Sequence, residues 1–576
     1  MAEIMKSYMS KSILLISILC ITCIGSIYGQ HELMDVTNHL NDQNEHNGSE
    51  DYYFTVQPRD PFDLYFRFII NEKRNFTPNL ISSNYFIRSF PDKHPWKSHS
   101  FMQTGMHNSS KNGVTLFTPK LFVSENSNIP RGENDGALWQ GVGWNNKFTT
   151  GARFRYGPVT AVIRPVLTYS ENQEFNMPDV PVKPGLSEFA MPLSNIDNPI
   201  RFGENSFTNY DLGDSFVEFD YSGFAVGLSN ERIWTGPAIY YPIIFSNNAP
   251  GFIHSYIRTS KPFETQFGNF EAKWLWGQLQ ESDYFDDDDS NNLRYITALI
   301  FSYSPSILSG LEVGFTRASY SAYPDNGLRV SDIFQVFKLS QPKPIGMDNN
   351  EDSFFSVMSF FGRFHLPEQG FEVYFEWGRN DHRRRFRDIL GEVELNNGYV
   401  LGFIKRFSIT DSNIILLNSE ITNLENSTIG SQFREFNIWY TNDSIRQGFT
   451  NKGQVIGAGI GPGSTSQLIN LAYYHKWGFL GVSAQRIAFH NDRHFRHKDF
   501  YVSREYIGFE GAMLTSLHEI EIRYNFSSLI FLPFNVELQA DYSIGKIDNL
   551  YNAIRNDTSN NRIAITLRYN FPGFLR

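Results

Sequence analysis

From about residue 113 onward, apolar and polar positions alternate in short runs separated by Asn, Asp, Gly and Pro clusters, the pattern of an all-β chain. The last run is unbroken: Ile563, Ile565, Leu567, Tyr569 and Phe571 alternate with Arg562, Ala564, Thr566, Arg568 and Asn570. A strand places successive side chains on opposite faces, so this is a ribbon with one apolar face and one charged or small face. Val217, Phe219 and Tyr221 alternate with Glu218 and Asp220, and Phe371, Val373, Phe375 and Trp377 alternate with Glu372, Tyr374 and Glu376. Phe270 to Trp276, Ile520 to Phe526 and Phe534 to Ile544 behave in the same way. The last of these is about 11 residues, the length a tilted strand needs to cross a bilayer. Carboxylates on a lipid face cost several kcal/mol, so Glu372, Glu376, Glu521 and Glu537 are expected to point inward.

This pattern predicts a large transmembrane antiparallel β-barrel rather than a soluble sandwich. Strands recur at a spacing of roughly 25 residues, which predicts roughly 16 to 20 of them. A barrel that wide leaves a channel unless something fills it, and inward charges of both signs predict packing against loops or the N-terminal segment. Aromatic residues make up 16% of the 576 residues, with 52 Phe and 29 Tyr, as lipid-facing belts require. Net charge is -11, which offers no footprint for nucleic acid.

Residues 1–29 read as a signal peptide: Lys6 and Lys11 precede the apolar run Ile13 to Ile24, with Gly25, Ser26 and Gly29 near the cut. Cys20 and Cys23 are the chain's two cysteines and both fall in this leader, so neither disulfides nor thiolate metal sites are expected beyond it. Residues 30–112 are read as a polar, acidic arm followed by an irregular or helical segment, and residues 113–576 as the barrel. Export and insertion imply contact with the barrel-assembly machinery, and with outer-membrane lipid and lipopolysaccharide, in the outer membrane of a Gram-negative cell.

A series of motifs runs through the barrel region. Asn134-Asp135-Gly136-Ala137-Leu138-Trp139-Gln140-Gly141 is followed by Trp234-Thr235-Gly236-Pro237 and Phe245-Ser246-Asn247-Asn248-Ala249-Pro250-Gly251-Phe252. Gly268-Asn269-Phe270-Glu271-Ala272, Trp377-Gly378-Arg379-Asn380-Asp381-His382 and Arg446-Gln447-Gly448-Phe449-Thr450 come next, the last leading to Gly457 through Ser464. In this order they resemble the Wzi-type capsule assembly family of outer-membrane proteins, in the form found in Bacteroidetes-like bacteria. The resemblance spans roughly residues 110 to 576. It implies a large β-barrel with an N-terminal helical or irregular portion, acting as a non-enzymatic surface lectin that holds capsular polysaccharide. The chain departs from the pattern in its Phe-rich N-terminal segment and at Ile239-Tyr240-Tyr241-Pro242, where relatives are more polar.

The candidate polysaccharide-binding residues are Trp139, Gln140, Trp234, Asn247, Asn248, Arg379, Asn380, Arg383, Arg384, Arg385, Arg387 and Arg446. Asn side chains offer donors and acceptors that suit sugar hydroxyls, though Asn247-Asn248-Ala249-Pro250-Gly251 also has the composition of a plain turn. Trp139, Trp144 and Trp234 are suited either to stacking on sugar rings or to an interfacial aromatic girdle. The Arg383-Arg384-Arg385-Arg387 cluster suits an acidic polymer or a lipid phosphate, and equally a strand-end loop paired with Glu392 and Glu394. His490, Asp492, His494 and His497 have ligand chemistry without metal-site spacing, and Asp286 to Asp289 lacks the Gly and Glu of a calcium loop, so no metal and no cofactor is expected. There is no nucleophile elbow and no phosphate-binding Gly-Lys-Ser/Thr loop. The alternative class is a porin or polysaccharide export channel.

Overall fold

A computed structural model describes residues 112–177, 185–191, 196–324, 327–338, 354–380, 396–410, 413–426, 438–442, 444–492, 518–552 and 556–570, with short pieces between residues 52 and 108. Twenty-one strand segments close into one antiparallel barrel. Three wall strands are each broken into two segments, so the wall has eighteen staves. One break falls at Arg164-Pro165, between Val159–Ile163 and Val166–Ser170, where proline has no N–H for the ladder. The other two separate Phe207–Asp211 from Phe216–Tyr221 and His254–Thr259 from Phe263–Thr265. The last stave, Thr558–Tyr569, pairs with the first, Gly113–Asn126, and closes the ring.

The faces follow the alternation. Ile565 is 43% exposed on the outer face while its neighbour Thr566 is 3% exposed on the inner one. Glu372, Glu376, Glu420 and Glu521 are all buried inside the wall.

The two ends of the barrel differ. At one end the staves join through tight turns, as at Ser222-Gly223, where both residues have the positive φ that suits a two-residue hairpin. The first stave starts at this end and the last finishes there. Among the described residues, the connections 127–142 and 230–253 and the described parts of 171–206 and 424–464 lie at the other end. Short turns on one side and long loops on the other is the arrangement of outer-membrane barrels, with the loops outside the cell.

The long loops fold back and fill part of the barrel. Ile243, Ile244 and Phe245 of one loop and Trp439, Tyr440 and Phe449 of another are fully buried, in one apolar core with inward-facing Leu275, Ile296, Ile300, Val400 and Leu416. Glu420, on the inner face of Asn413–Asn423, accepts the backbone N–H groups of Ile239, Tyr240 and Tyr241 and the Tyr374 hydroxyl. Glu376 accepts the Ile243 N–H at 3.0 Å. These inward carboxylates therefore satisfy loop backbone that would otherwise be buried without partners. Tyr440 Oη donates to the Ile243 carbonyl and Ser246 Oγ to that of Gly457, which fastens the two loops to each other.

In the segment before the barrel, Tyr52–Phe54 is the centre of a small sheet with Tyr85–Ile87 and His107–Asn108. Helical residues Asp63, Leu64 and Arg67 also belong to it. Arg67 reaches the inner face near the short-turn end, pairing with Glu372 and donating to the Pro237 carbonyl at 2.8 Å.

Candidate polysaccharide-binding site

The loop 127–142 crosses the barrel interior toward its loop end. Asn134 and Gly136 hold positive φ, and the turn they make lets the Gly136 N–H reach the Asn247 carbonyl at 2.8 Å. Asn248 joins three loops: its Oδ1 accepts the Asn134 N–H, its Nδ2 donates to the Val455 carbonyl, and its own N–H donates to Ser246 Oγ. A side chain on Gly459 would meet Asn248 Oδ1 at 2.7 Å, so that position keeps the junction tight. Gln454 Nε2 donates to the Gly136 carbonyl and completes it.

Around this junction lie two cavities that share Arg131, Gly132, Glu133 and Asp135 as their common wall. The outer one, a vestibule of about 140 Å³, is bordered by Trp139, Gln140, Asn198, Asn248, Gln454 and His490. The inner one, a chamber of about 320 Å³, lies against staves from both ends of the barrel sequence and is lined by Lys120, Lys147, Arg562 and Arg568. The shared wall is held by ion pairs. Arg131 bridges Glu519 and Glu521, each at 3.0 Å, and Arg523 bridges Glu521 at 2.7 Å and Glu133 at 2.9 Å. Tyr241 Oη donates to Glu133 at 2.5 Å. Charges enclosed in this way are held in fixed positions by partners, and removing one partner leaves the other stranded.

Trp139 is half-buried, tilted against Phe202 with ring centroids 4.7 Å apart, and borders the vestibule. Gln140 is buried beneath it, accepting from Ser124 Oγ at 2.7 Å and Arg562 Nε at 2.9 Å while donating to Asp135. Asn247 lines the inner chamber and Asn248 the vestibule, so four of the sequence candidates converge here. Trp234 is elsewhere: it is buried in the filling loop, with Nε1 donating to the Ala238 carbonyl at 3.1 Å. Arg379 and Asn380 are adjacent on a stave and therefore face opposite sides, Asn380 inward to the Ile438 carbonyl. Arg446 lies in the 424–464 loop and is half-buried. Arg383, Arg384, Arg385 and Arg387 lie outside the described residues. Trp144 stands on the outer face at the loop end, exposed, which is the girdle position.

Arg131, Glu133, Asn198 and Gln454 were not singled out from sequence. The first two precede the Asn134-Asp135-Gly136 motif directly, which was the available signal; Asn198 and Gln454 come from distant loops and had none. Two buried carboxylates hold the loop framework. Asp197 accepts from Ser282 N–H and Oγ and from the Gly453 N–H, joining three loops, and burial pushes it above the ordinary carboxylate range. Burial also pushes Asp492 up, to about 7, although hydrogen bonds from Asn426 favour the charge.

A closed barrel with an apolar outer belt, loops folded into its lumen and a polar vestibule at the loop end defines a membrane β-barrel. The model of the capsule assembly protein Wzi family matches residues 123–479, more than half of the chain. The chain belongs to that family. Among solved structures it is similar to Wzi of Escherichia coli, described as an outer membrane protein involved in group 1 capsule assembly and a carbohydrate-binding β-barrel. That match has 10% identity over 79% of this chain and 84% of the other, with a TM-score of 0.51. It is also similar to OccK7 (OpdD) of Pseudomonas aeruginosa, at 9% identity over 79% and 98% of the two chains and a TM-score of 0.38. OprB of Pseudomonas putida matches at 10% identity over 81% and 95%, with a TM-score of 0.35. No curated protein sequence matches the chain.

Proposed function

We propose that this protein is a non-enzymatic outer-membrane lectin that binds surface polysaccharide and holds it at the cell. The observation that carries this reading is the convergence of Trp139, Gln140 and Asn248, from two motif segments more than 100 residues apart, on one polar vestibule at the loop end. Such a surface offers what sugars need: an aromatic face for the ring, and amide and carboxylate groups for hydroxyls. Membership of the capsule assembly family supports the same reading. The bound polymer is a capsular or other surface glycan, and the site performs no chemistry on it.

A porin or export channel is the competing reading. The apolar core formed by the 230–253 and 424–464 loops inside the wall favours the lectin, because it occupies space a channel would keep open. Deletion of the gene tests the proposal: polysaccharide is expected to shift from the cell fraction to the medium with total synthesis unchanged. Loss of export, with polymer accumulating inside the cell, would favour the channel.

A further inference from the structure

The outer wall carries a polar row where lipid should be. Thr297, Ser319 and Ser356 are register partners on three neighbouring staves, and one step nearer the short turns Arg317 sits opposite Leu299 and Met358. All four face outward, on the same side as the exposed Phe301 and Phe360. A charge or a row of hydroxyls on that face is costly beside acyl chains.

The row is not bare. Thr297 and Ser319 are both 0% exposed. The connection 327–338 lies over them on the outside of the barrel, with a short helix at Val330–Ile333 and a 3-10 turn at Phe334–Phe337. Arg317 Nη2 donates to the Lys338 carbonyl at 2.6 Å, and Tyr295 Oη to that of Asp332 at 3.1 Å. Ser319 and Ser356 hydroxyls pair with each other at 2.7 Å. Gln335 and Val336 are buried underneath, and the Phe334 and Phe337 rings pack on outward-facing Trp274 at 5.2 and 5.4 Å. The same segment leaves apolar surface uncovered: Val330 is 75% exposed, and Leu328 and the outer halves of Phe334 and Phe337 are exposed beside it.

We propose that residues 327–338 form an amphipathic cover that lies in the loop-side leaflet, with lipid acyl chains as the occupant of the Val330, Phe334 and Phe337 face. Its backbone carbonyls at Asp332, Ile333 and Lys338 accept from Tyr295, Thr297 and Arg317 of the wall beneath, and its apolar face continues the belt of Phe301 and Phe360. This explains how the chain tolerates Arg317 midway along an outward face. The element has Arg329 and Lys338 near its ends and aromatics on one side, with Asp332 between them accepting the Arg329 N–H at 2.8 Å.

The inference does not depend on the polysaccharide reading. Its test uses the full chain with Cys20→Ser and Cys23→Ser, carrying Val330→Cys labelled with a small fluorophore and reconstituted in vesicles of phosphatidylcholine brominated on its acyl chains. Phe360→Cys serves as the belt control and Ser290→Cys as the aqueous control. Quenching at position 330 by the brominated chains to at least half the extent seen at 360, with protection from aqueous iodide, is the expected result. Quenching by iodide and not by the brominated chains overturns the proposal by placing the segment in water. Protection from both also overturns it, because a protein surface then covers the face.

Discussion

Glu420 and Tyr241 lie 179 residues apart, yet the Tyr241 N–H donates to Glu420 Oε1 at 2.9 Å inside the barrel. Ile239 and Tyr240 donate to the same carboxylate. One inward acid of the wall thus anchors three successive amides of the loop that fills it. Glu420→Ala strands those amides and the Tyr374 hydroxyl. Each hydrogen bond to a charged group is worth roughly 1.5–3 kcal/mol, and some water enters, so a net loss of about 3 kcal/mol is expected. Chemical unfolding in detergent measures this, and Glu420→Gln, which keeps one acceptor, should lose less. An unchanged midpoint for Glu420→Ala would mean that the loop is held by its apolar contacts alone.

The closing strand gives a test of the wall itself. Leu567 faces outward and Thr566 inward. Leu567→Arg should impair assembly by about 2–4 kcal/mol if it sits near the bilayer midplane, whereas Thr566→Gln enters the polar chamber and should assemble normally. Heat-modifiable migration of the two variants, compared in one gel series, distinguishes them; equal damage would place the faces wrongly.

Asp197 ties the loops 171–206, 281–292 and 424–464 together through Ser282 and Gly453. Asp197→Ala should leave the barrel assembled but loosen its loop end. The readout is limited proteolysis on intact vesicles: cleavage within these loops should speed up several-fold while the wall remains resistant. Equal cleavage of variant and parent would remove Asp197 from this role.

Asp492 gives a pH dependence. Its folded pKa, about 7, lies above that of an unfolded carboxylate, near 3.9. The folded state therefore holds the proton more tightly, and stability from this group is complete below about pH 4, declines as pH rises to about 7 and is level beyond. Thermal unfolding of the parent should thus fall relative to Asp492→Asn across that window. Parallel curves for the two proteins would show that Asp492 ionises freely in the fold.

The wall was legible wherever one face meets lipid and the other meets polar groups. The run Arg562 to Asn570 displayed both faces in its alternation, and the structure keeps them. Tyr295-Ile296-Thr297-Ala298-Leu299-Ile300-Phe301 did not alternate, for two physical reasons now visible. Its inner face packs on the filling loops and is apolar, and part of its outer face is polar because a segment of the chain covers it. The inward charges were expected to pack against loops or the N-terminal segment, and the carboxylates do so in two ways. Glu372 pairs with Arg67, but Glu376 and Glu420 instead bind loop amides, which carry no sequence signature. Ile239-Tyr240-Tyr241-Pro242, read as a departure from the family pattern, is the part of the filling loop that meets Glu420. Of the residues bordering the candidate vestibule, Trp139, Gln140 and Asn248 lie in motifs that the sequence displays. Asn198 and Gln454 were not, because only the folding-in of distant loops brings them there.

The central claim is that the loop-end vestibule binds the surface polysaccharide, and affinity electrophoresis of the purified, folded protein through gels containing that polymer tests it most directly. Asn198 borders the vestibule and is half-buried, so Asn198→Trp fills the cavity without removing an ion pair. The account predicts that the parent protein is retarded and that Asn198→Trp binds at least ten-fold more weakly, with heat-modifiable migration unchanged. A parent protein that migrates as it does in an empty gel would contradict the lectin function, and equal retardation of parent and variant would contradict its placement in the vestibule.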